Sequence, residues 1–179
     1  MEYLREHNGR EAEIVDLFTL TFTASEGEEE GTVIGELVRK LLSDTAQESL
    51  FVFIAEENGA LIGGIIFSQL TYAHDERTVF VLGPVAVAPD QQGRGVGQGL
   101  LSYGLRALQM AGVDIVMTYG DPNYYTKVGF TPIREVDAPA PFPLNHPEGW
   151  LAQSLTGQPI APLRGPSRCV EALDDPVYW

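Results

Sequence analysis

The chain has few of the residues that mark metal-binding, disulfide-rich and nucleic-acid-binding proteins. Cys169 is the single cysteine among 179 residues, which excludes an internal disulfide and a cysteine-rich metal centre. His7, His74 and His146 lie far apart without the spacing of metal ligands, so we predict no metal site. Only 11 Lys and Arg stand against 25 Asp and Glu, a net charge of −14. Nucleic acid is therefore not expected as a partner, because phosphate contacts need clusters of basic residues.

Long apolar runs are also missing. The longest are far shorter than a membrane span, and polar residues such as Glu56, Glu57 and Asn58 interrupt them. The first residues lack the basic-then-apolar layout of a secretory signal. We therefore expect a cytoplasmic protein without a membrane partner. We interpret the acidic balance as serving solubility, although it could also attract a cationic amine.

One segment combines an apolar run, a glycine-rich stretch and a helical pattern. The apolar run is 79–87, the glycine-rich stretch is 91–99, and the helical pattern follows at 100–108. Glycines let successive backbone N–H groups turn toward one point, and the start of a helix adds unpaired donors and the positive end of its dipole. The sequence therefore predicts a site for a phosphate or pyrophosphate between a strand and a helix.

The glycine spacing decides which phosphate ligand fits. No register of the glycines gives the G-x-G-x-x-G of a dinucleotide site, and the chain has no Gly-Lys pair for a P-loop. The pattern that fits is Gln92-x-x-Gly95-x-Gly97. It resembles the Q/R-x-x-G-x-G/A signature of the GNAT superfamily of acyl-CoA N-acyltransferases, in which this loop holds the pyrophosphate of coenzyme A.

A second motif supports the same resemblance. Residues 124–130, Tyr-Tyr-Thr-Lys-Val-Gly-Phe, resemble the Y-x-x-x-G-F element of that superfamily, with Tyr125 in the tyrosine position. The run 120–125 is similar to a poorly characterised bacterial branch of predicted acetyltransferases. That branch carries a C-terminal extension ending in an aspartate- and aromatic-rich segment, as residues 173–179 do here.

The resemblance implies a set of site residues. Acetyl-CoA is the implied co-substrate, and Tyr125 is the implied general acid for the departing CoA thiolate. A phenol of pKa near 10 can return a proton to a thiolate whose conjugate acid has a pKa near 8.5. Gly83-Pro84 interrupts the fourth strand, since proline cannot donate to a ladder, and the pantetheine arm would pair with the backbone that follows. The predicted cofactor-binding residues are Val85, Ala86, Val87, Gln92, Gly93, Arg94, Gly95, Val96, Gly97 and Gln98.

The general base is not fixed by the sequence. Some family members use a glutamate near the cofactor strand, but this chain has Gly-Pro-Val-Ala-Val there. A water chain or a residue elsewhere is left open. The candidates are Glu26, Glu28, Glu29, Glu30, His74, Asp75 and Glu76. The acidic segment 26–30 is the first choice for recognising an amine, since the resemblance places the substrate lip there.

The order of predicted elements agrees with the fold that the resemblance implies. We predict an α/β protein with a mixed, mostly antiparallel twisted sheet and helices on both faces. Asn8 and Glu11 predict a capped helix start, 25–31 an acidic loop, and Asn58-Gly59 a hairpin turn. Residues 1–156 are expected to form the acetyltransferase domain, and 157–179 a mostly irregular extension packed on it.

The sequence therefore predicts an N-acetyltransferase that moves an acetyl group from acetyl-CoA directly to a primary amine. A non-catalytic acyl-CoA-binding or sensing module is one alternative, and a nucleotide-binding protein is another. The acceptor is left open between a small amine and a protein amino group. A homodimer is possible, and Trp150, Tyr178 and Trp179 could close the acceptor cleft or form its contact, although aromatic residues more often complete a core.

Overall fold

The computed structural model describes residues 1–5 and 7–179. Within them lie four α-helices, namely α1 Glu11–Glu26, α2 Glu28–Asp44, α3 Val96–Met110 and α4 Pro122–Tyr125. The eight strands are β1 Glu2–Leu4, β2 Leu50–Glu57, β3 Ala60–Tyr72, β4 Asp75–Val87, β5 Ile115–Tyr119, β6 Thr131–Pro132, β7 Trp150–Ser154 and β8 Ser167–Arg168. The predicted order of helices and longer strands is confirmed.

The eight strands form a mixed sheet. Its order is β1-β2-β3-β4-β5-β7-β6, with β8 added to β3. Strands β4 and β5 pair in parallel, while β1 with β2 and β7 with both β5 and β6 are antiparallel. The described residues form two compact units, the first of residues 1–67 and 84–104 and the second of residues 68–83 and 105–179. The predicted fold class is confirmed, whereas the predicted division at residue 157 stays a prediction.

In the first unit, β3 has helices on both of its faces. A side chain at Gly64 would meet Phe18 of α1, whereas one at Gly63 would meet Val96 and Leu100 of α3. Neighbouring residues of a strand point to opposite sides, so α1 and α3 cover opposite faces of this strand. Both glycines are needed because each helix packs against the strand backbone.

Two expectations for the first unit are wrong. Asn8 does not cap α1: the helix begins after Arg10 without a side-chain cap, and the Glu11 carboxylate instead accepts from the Gly9 N–H at 3.1 Å. The acidic loop is also absent, because Gly27, at φ 103°, alone separates α1 from α2. Glutamates 28–30 form the first turn of α2, where negative charge favours the positive end of the helix dipole.

The hairpin between β2 and β3 matches the sequence prediction. Asn58 has φ 53° and Gly59 has φ 79°. Positive φ at both central residues is the requirement of a type I′ turn, and Asn-Gly meets it at the lowest cost. The turn fixes the register of two long buried strands.

The second unit contains β5, β6, β7 and β8, the first part of β4 and the end of β3. Trp150 and Trp179 are 0% and 4% exposed, and their rings meet at 6.0 Å. Tyr119 stacks on Trp179 at 6.4 Å. These tryptophans therefore complete a core, as expected. Cys169 is buried, and desolvation raises the pKa of its thiol to about 11, which fits a packing residue.

An ion pair in the second unit ties the start of β4 to the C-terminal segment. Asp75, whose side chain is 5% exposed, accepts from Arg77 Nε at 2.9 Å and Nη2 at 2.7 Å, and from the Arg164 N–H at 3.2 Å. Arg77 in turn donates to the carbonyls of Ala161 and Pro162. Side-chain hydrogen bonds from Arg77 hold the pKa of the Asp75 carboxyl well below its usual range.

We expect Asp75→Ala to lower the free energy of unfolding by about 2 kcal/mol at pH 7, because it leaves a partly buried arginine unpaired. The folded-state pKa is depressed, so this contribution is present above the unfolded-state pKa of about 3.9 and is lost as pH falls below it. Urea unfolding at pH 7 and pH 3.5 measures both effects. Glu36→Ala, which removes the exposed Glu36–Arg39 pair, serves as control and should cost less than about 1 kcal/mol. Equal losses in the two variants would contradict the role of Asp75.

Candidate active site

The glycine motif lies where the sequence predicts it, between a strand and a helix. Strand β4 ends at Val87, a short turn covers 89–91, and α3 begins at Val96. Gly93 and Gly95 have φ 75° and 79°, a left-handed conformation that side-chain-bearing residues rarely adopt. These two glycines shape the loop that leads into α3.

The loop presents a row of free backbone donors. The first helical bond of α3 runs from the Gly99 N–H to the Gly95 carbonyl at 3.0 Å. Over residues 1–5 and 7–179, no protein acceptor takes a hydrogen bond from the N–H groups of 93–98. Unpaired donors next to a helix N-terminus provide the environment that a phosphate needs. This row of donors, residues 93–98, is called the N–H cradle below.

The side chains of Gln92 and Arg94, both in the glycine motif, make different contacts. Gln92 donates from Nε2 to the Val87 carbonyl at 3.0 Å, which ties the loop to the end of β4. Arg94 is half-exposed and pairs with Glu57 at 3.3 Å and with the Gln91 side chain. An exposed pair of this kind contributes only about 0–1 kcal/mol, so it leaves Arg94 able to exchange Glu57 for another anion.

The residues predicted to pair with the cofactor, 85–87, form the last part of β4. The registered pairing with β5 runs from Val79 to Leu82, and Gly83 follows with φ 155°. Beyond it, Ala86 is 2% exposed whereas Val85 and Val87 are half-buried. The strand therefore continues past its pairing with β5 with one buried and one partly open face.

Tyr125 ends α4 in the second unit. Asp121 caps this helix by accepting from the Asn123 N–H at 2.9 Å, and Gly129, at φ 100°, turns the chain back toward Phe130. The Tyr125 ring contacts those of Phe130 and Tyr124 edge-on, with centroids 5.8 Å and 5.1 Å away. The two ends of the Y-x-x-x-G-F motif therefore pack against each other.

Burial controls the protonation of this phenol. Desolvation raises the pKa of Tyr125 well above its ordinary value near 10, and the neighbouring Tyr124 raises it further. Burial raises the pKa of Tyr124 as well. Tyr125 is therefore fully protonated at neutral pH, which is the state that a general acid requires.

The candidate bases differ in their surroundings. Asp75 is held by Arg77 with a depressed pKa, which makes it a poor proton acceptor. All the other candidates have exposed side chains: Glu26, Glu28, Glu29, Glu30, His74 and Glu76. Within the described residues, no three His, Cys, Asp or Glu side chains group as a metal site.

The predicted residues divide between the two units. The segments 85–87 and 92–98 belong to the first unit, and Tyr125 belongs to the second. Thr118, which no motif in the sequence singles out, is 1% exposed on β5, and its hydroxyl donates to the Leu82 carbonyl at 3.1 Å. Its only signal in the sequence is a hydroxyl in an otherwise apolar strand.

Comparison with known proteins identifies the family. A family profile described as "Acetyltransferase (GNAT) domain" matches residues 48–132. The chain is 35% identical over 141 residues to the uncharacterized N-acetyltransferase YjhQ of Escherichia coli K12, covering 76% of this chain and 77% of that protein. This chain belongs to the GNAT superfamily of N-acetyltransferases. The enzyme class predicted from the two motifs is confirmed, and acetyl-CoA is the co-substrate of this family.

Solved GNAT structures share the fold. A GNAT family acetyltransferase from Brucella melitensis, solved in complex with acetyl-CoA, is 26% identical with a TM-score of 0.76, and the match covers 97% of both chains. YhbS from E. coli, solved in complex with CoA, is 22% identical with a TM-score of 0.83 over 97% of this chain and 92% of that one. Both matches extend across nearly the whole GNAT chain, including its C-terminal segment. No described helix has both the length and the apolar character to cross a membrane.

Proposed function

We propose that this GNAT protein binds acetyl-CoA through the N–H cradle and the end of β4, and transfers the acetyl group directly to a primary amine. The observation that carries the proposal is the cradle itself. Among the residues that the structure describes, none accepts a hydrogen bond from its six consecutive N–H groups, on residues 93–98. The CoA pyrophosphate is an anion of the size and charge that such a loop accommodates.

The end of β4 supplies the second part of the proposed site. The backbone of Val85–Val87 pairs with the pantetheine arm, and an N–H of this segment polarises the acetyl carbonyl. Fixed backbone donors aimed at a developing oxyanion need no reorganisation during the reaction. The partly open face of this segment supports the assignment, since Val85 and Val87 are only half-buried.

Tyr125 completes the proposed reaction. The amine nitrogen forms a bond to the acetyl carbon as the carbon–sulfur bond breaks, and the sulfur keeps the electron pair. Tyr125 gives its phenolic proton to that sulfur and releases CoA as a thiol. The phenol is available for this step because burial keeps it protonated.

The amine must lose a proton before it attacks. Asp75 is set aside as the base because its carboxylate is committed to Arg77 and Arg164. The exposed glutamates 28–30 stay the predicted site of amine recognition, now from the first turn of α2. Cytoplasmic location and the possible homodimer also stay predictions.

Thermal unfolding with separate ligands tests the proposal. Acetyl-CoA or CoA at 100 times its Kd should add about 2.7 kcal/mol and raise Tm by about 5–10 °C, whereas ATP and NADH should not. A shift with ATP or NADH alone would contradict the assigned cofactor. Thiol release from acetyl-CoA is then measured with tyramine, spermidine, kanamycin and a lysine peptide. Cofactor binding without turnover of these amines would favour an acyl-CoA-binding module.

A further inference from the structure

The glycine loop carries a single cationic side chain. Arg94 is the only Lys or Arg between Arg77 and Arg106 in the sequence. Its guanidinium faces Glu57, the last residue of β2: Nη1 and Nη2 lie 3.3–3.5 Å from the carboxylate oxygens. Arg94 Nη1 also donates to the Gln91 side chain. The cation beside the N–H cradle is therefore paired with a carboxylate of the protein itself.

Strand β2 directs two neighbouring glutamates to different arginines. Glu56 pairs with Arg10, which precedes α1, whereas Glu57 pairs with Arg94, which precedes α3. Successive side chains of a strand point to opposite faces, and α1 and α3 cover opposite faces of the neighbouring β3. The Asn58-Gly59 turn then fixes the end of β2. The sheet therefore holds Glu57 beside the cradle.

The two glutamate–arginine pairs differ in tightness. Arg10 Nη1 lies 2.6 Å from Glu56 Oε2, and the two side chains are 22% and 23% exposed. Arg94 comes no closer to Glu57 than 3.3 Å, and its side chain is 49% exposed. A strong charge-assisted hydrogen bond between nitrogen and oxygen measures about 2.7–2.9 Å. The Arg94 pair is loose and accessible, so another anion can replace the carboxylate.

Glu57 and a phosphate on the cradle compete for the same guanidinium. Both are anions, so each attracts Arg94 and repels the other. A pyrophosphate also accepts from the backbone N–H groups of residues 93–98, which favours it over the carboxylate. Breaking the pair of Arg94 with Glu57 nevertheless costs part of the binding free energy.

We propose that Glu57 is a counter-anion that sets the affinity for CoA. It holds Arg94 before the cofactor binds, loses Arg94 to a CoA phosphate, and pairs with it again when CoA leaves. This inference rests on the proposed function of the N–H cradle. Glu57 opposes cofactor binding although it lies beside the cofactor site.

Two neighbouring substitutions separate this role from a general change of charge. Glu57→Gln and Glu56→Gln each remove one negative charge and nearly keep the shape of the side chain. We expect Glu57→Gln to lower the Kd for CoA about fivefold, because the pair no longer has to be broken. Glu56→Gln should stay within about twofold of wild type. Calorimetric titration measures both, and an unchanged or higher Kd in Glu57→Gln would overturn the proposal.

A double-mutant cycle tests whether Glu57 acts through Arg94. Arg94→Gln alone should raise the Kd for CoA about tenfold, because a charge-assisted contact is lost. In that background, Glu57→Gln should change Kd by less than about twofold, since there is no guanidinium to release. The same fivefold gain in both backgrounds would show plain repulsion between Glu57 and the phosphates, and the exchange on Arg94 would be overturned.

Nuclear magnetic resonance follows the exchange without CoA. The arginine Nε–H resonance missing from Arg94→Gln is assigned to Arg94. It should move in Glu57→Gln, stay in place in Glu56→Gln, and move in the wild type when inorganic pyrophosphate is added. If pyrophosphate moves it while CoA does not bind, the exchange stands for another phosphate ligand and the proposed acetyl-CoA site fails. An unmoved resonance in Glu57→Gln would overturn the pairing of Glu57 with Arg94.

Discussion

Tyr125→Phe is expected to lower the kcat for acetyl transfer by about 100-fold or more, while the Kd for CoA changes little. Phenylalanine keeps the ring contacts with Phe130 and Gly120 and loses only the group that protonates the thiolate. Steady-state thiol release with each amine gives kcat, and calorimetric titration with CoA gives Kd. In the wild type, the raised pKa of Tyr125 should keep this acid protonated beyond pH 10.

Tyr124→Phe is the matched control. Tyr124 precedes Tyr125 on the same short helix and is half-buried, and its ring contacts the Tyr125 ring edge-on. Its hydroxyl has no part in the proposed reaction, so kcat should stay within about twofold of wild type. Equal losses in the two variants would indicate that hydroxyl removal perturbs α4 as a whole, and the general-acid assignment would be withdrawn.

Gly95→Val is expected to weaken CoA binding by about 100-fold. Gly95 has φ 79°, where a β-branched residue is strained, so the loop must change shape and move its N–H groups away from the phosphates. Strain together with one lost charge-assisted hydrogen bond amounts to about 3 kcal/mol, which corresponds to more than 100-fold in Kd. Calorimetric titration with CoA measures the change.

Gly157→Val is the matched control, because it introduces the same backbone strain outside the N–H cradle. Gly157 has φ 77°, and like Gly95 it has open space where a side chain would go. Both variants should therefore lose similar stability, but only the one at Gly95 should lose CoA affinity. An unchanged Kd in Gly95→Val would show that the N–H cradle is not the phosphate site.

The glycine loop could be predicted from sequence because its determinants are local. Glycines at fixed spacing between an apolar run and a helical pattern are enough to specify the turn, and Gly93 and Gly95 adopt the positive φ that this requires. The hairpin at Asn58-Gly59 is equally local. Tyr125 followed from a motif of the same kind, and the family comparison confirms the class of enzyme although it does not test either residue's role.

The features that the sequence analysis missed depend on contacts between distant segments. Thr118 is notable because its hydroxyl donates to the carbonyl of Leu82, a residue 36 positions away in the chain. Strand β8 is two residues long, which is too short to show any periodicity. The acidic stretch is predicted as a loop but forms the first turn of α2, because glutamates occur equally in loops and in first helical turns. The sequence predicts that Asn8 starts α1, but the helix begins after Arg10. Arg10 donates to Glu56, which is 46 residues away in the chain, so this contact is not visible in the local sequence.

The pairing of the short strand β8 with the end of β3 has a practical consequence for anyone who trims this protein. The family profile ends at residue 132, yet β5 is paired with β7 at 150–154, and Thr71 and Tyr72 are paired with residues 167–168. A fragment that ended at residue 132 would leave β5 without β7 and the end of β3 without β8, which exposes unpaired edges on both strands. Such edges recruit other chains and lead to aggregation. The smallest soluble form of this acetyltransferase therefore has to retain the chain through β8.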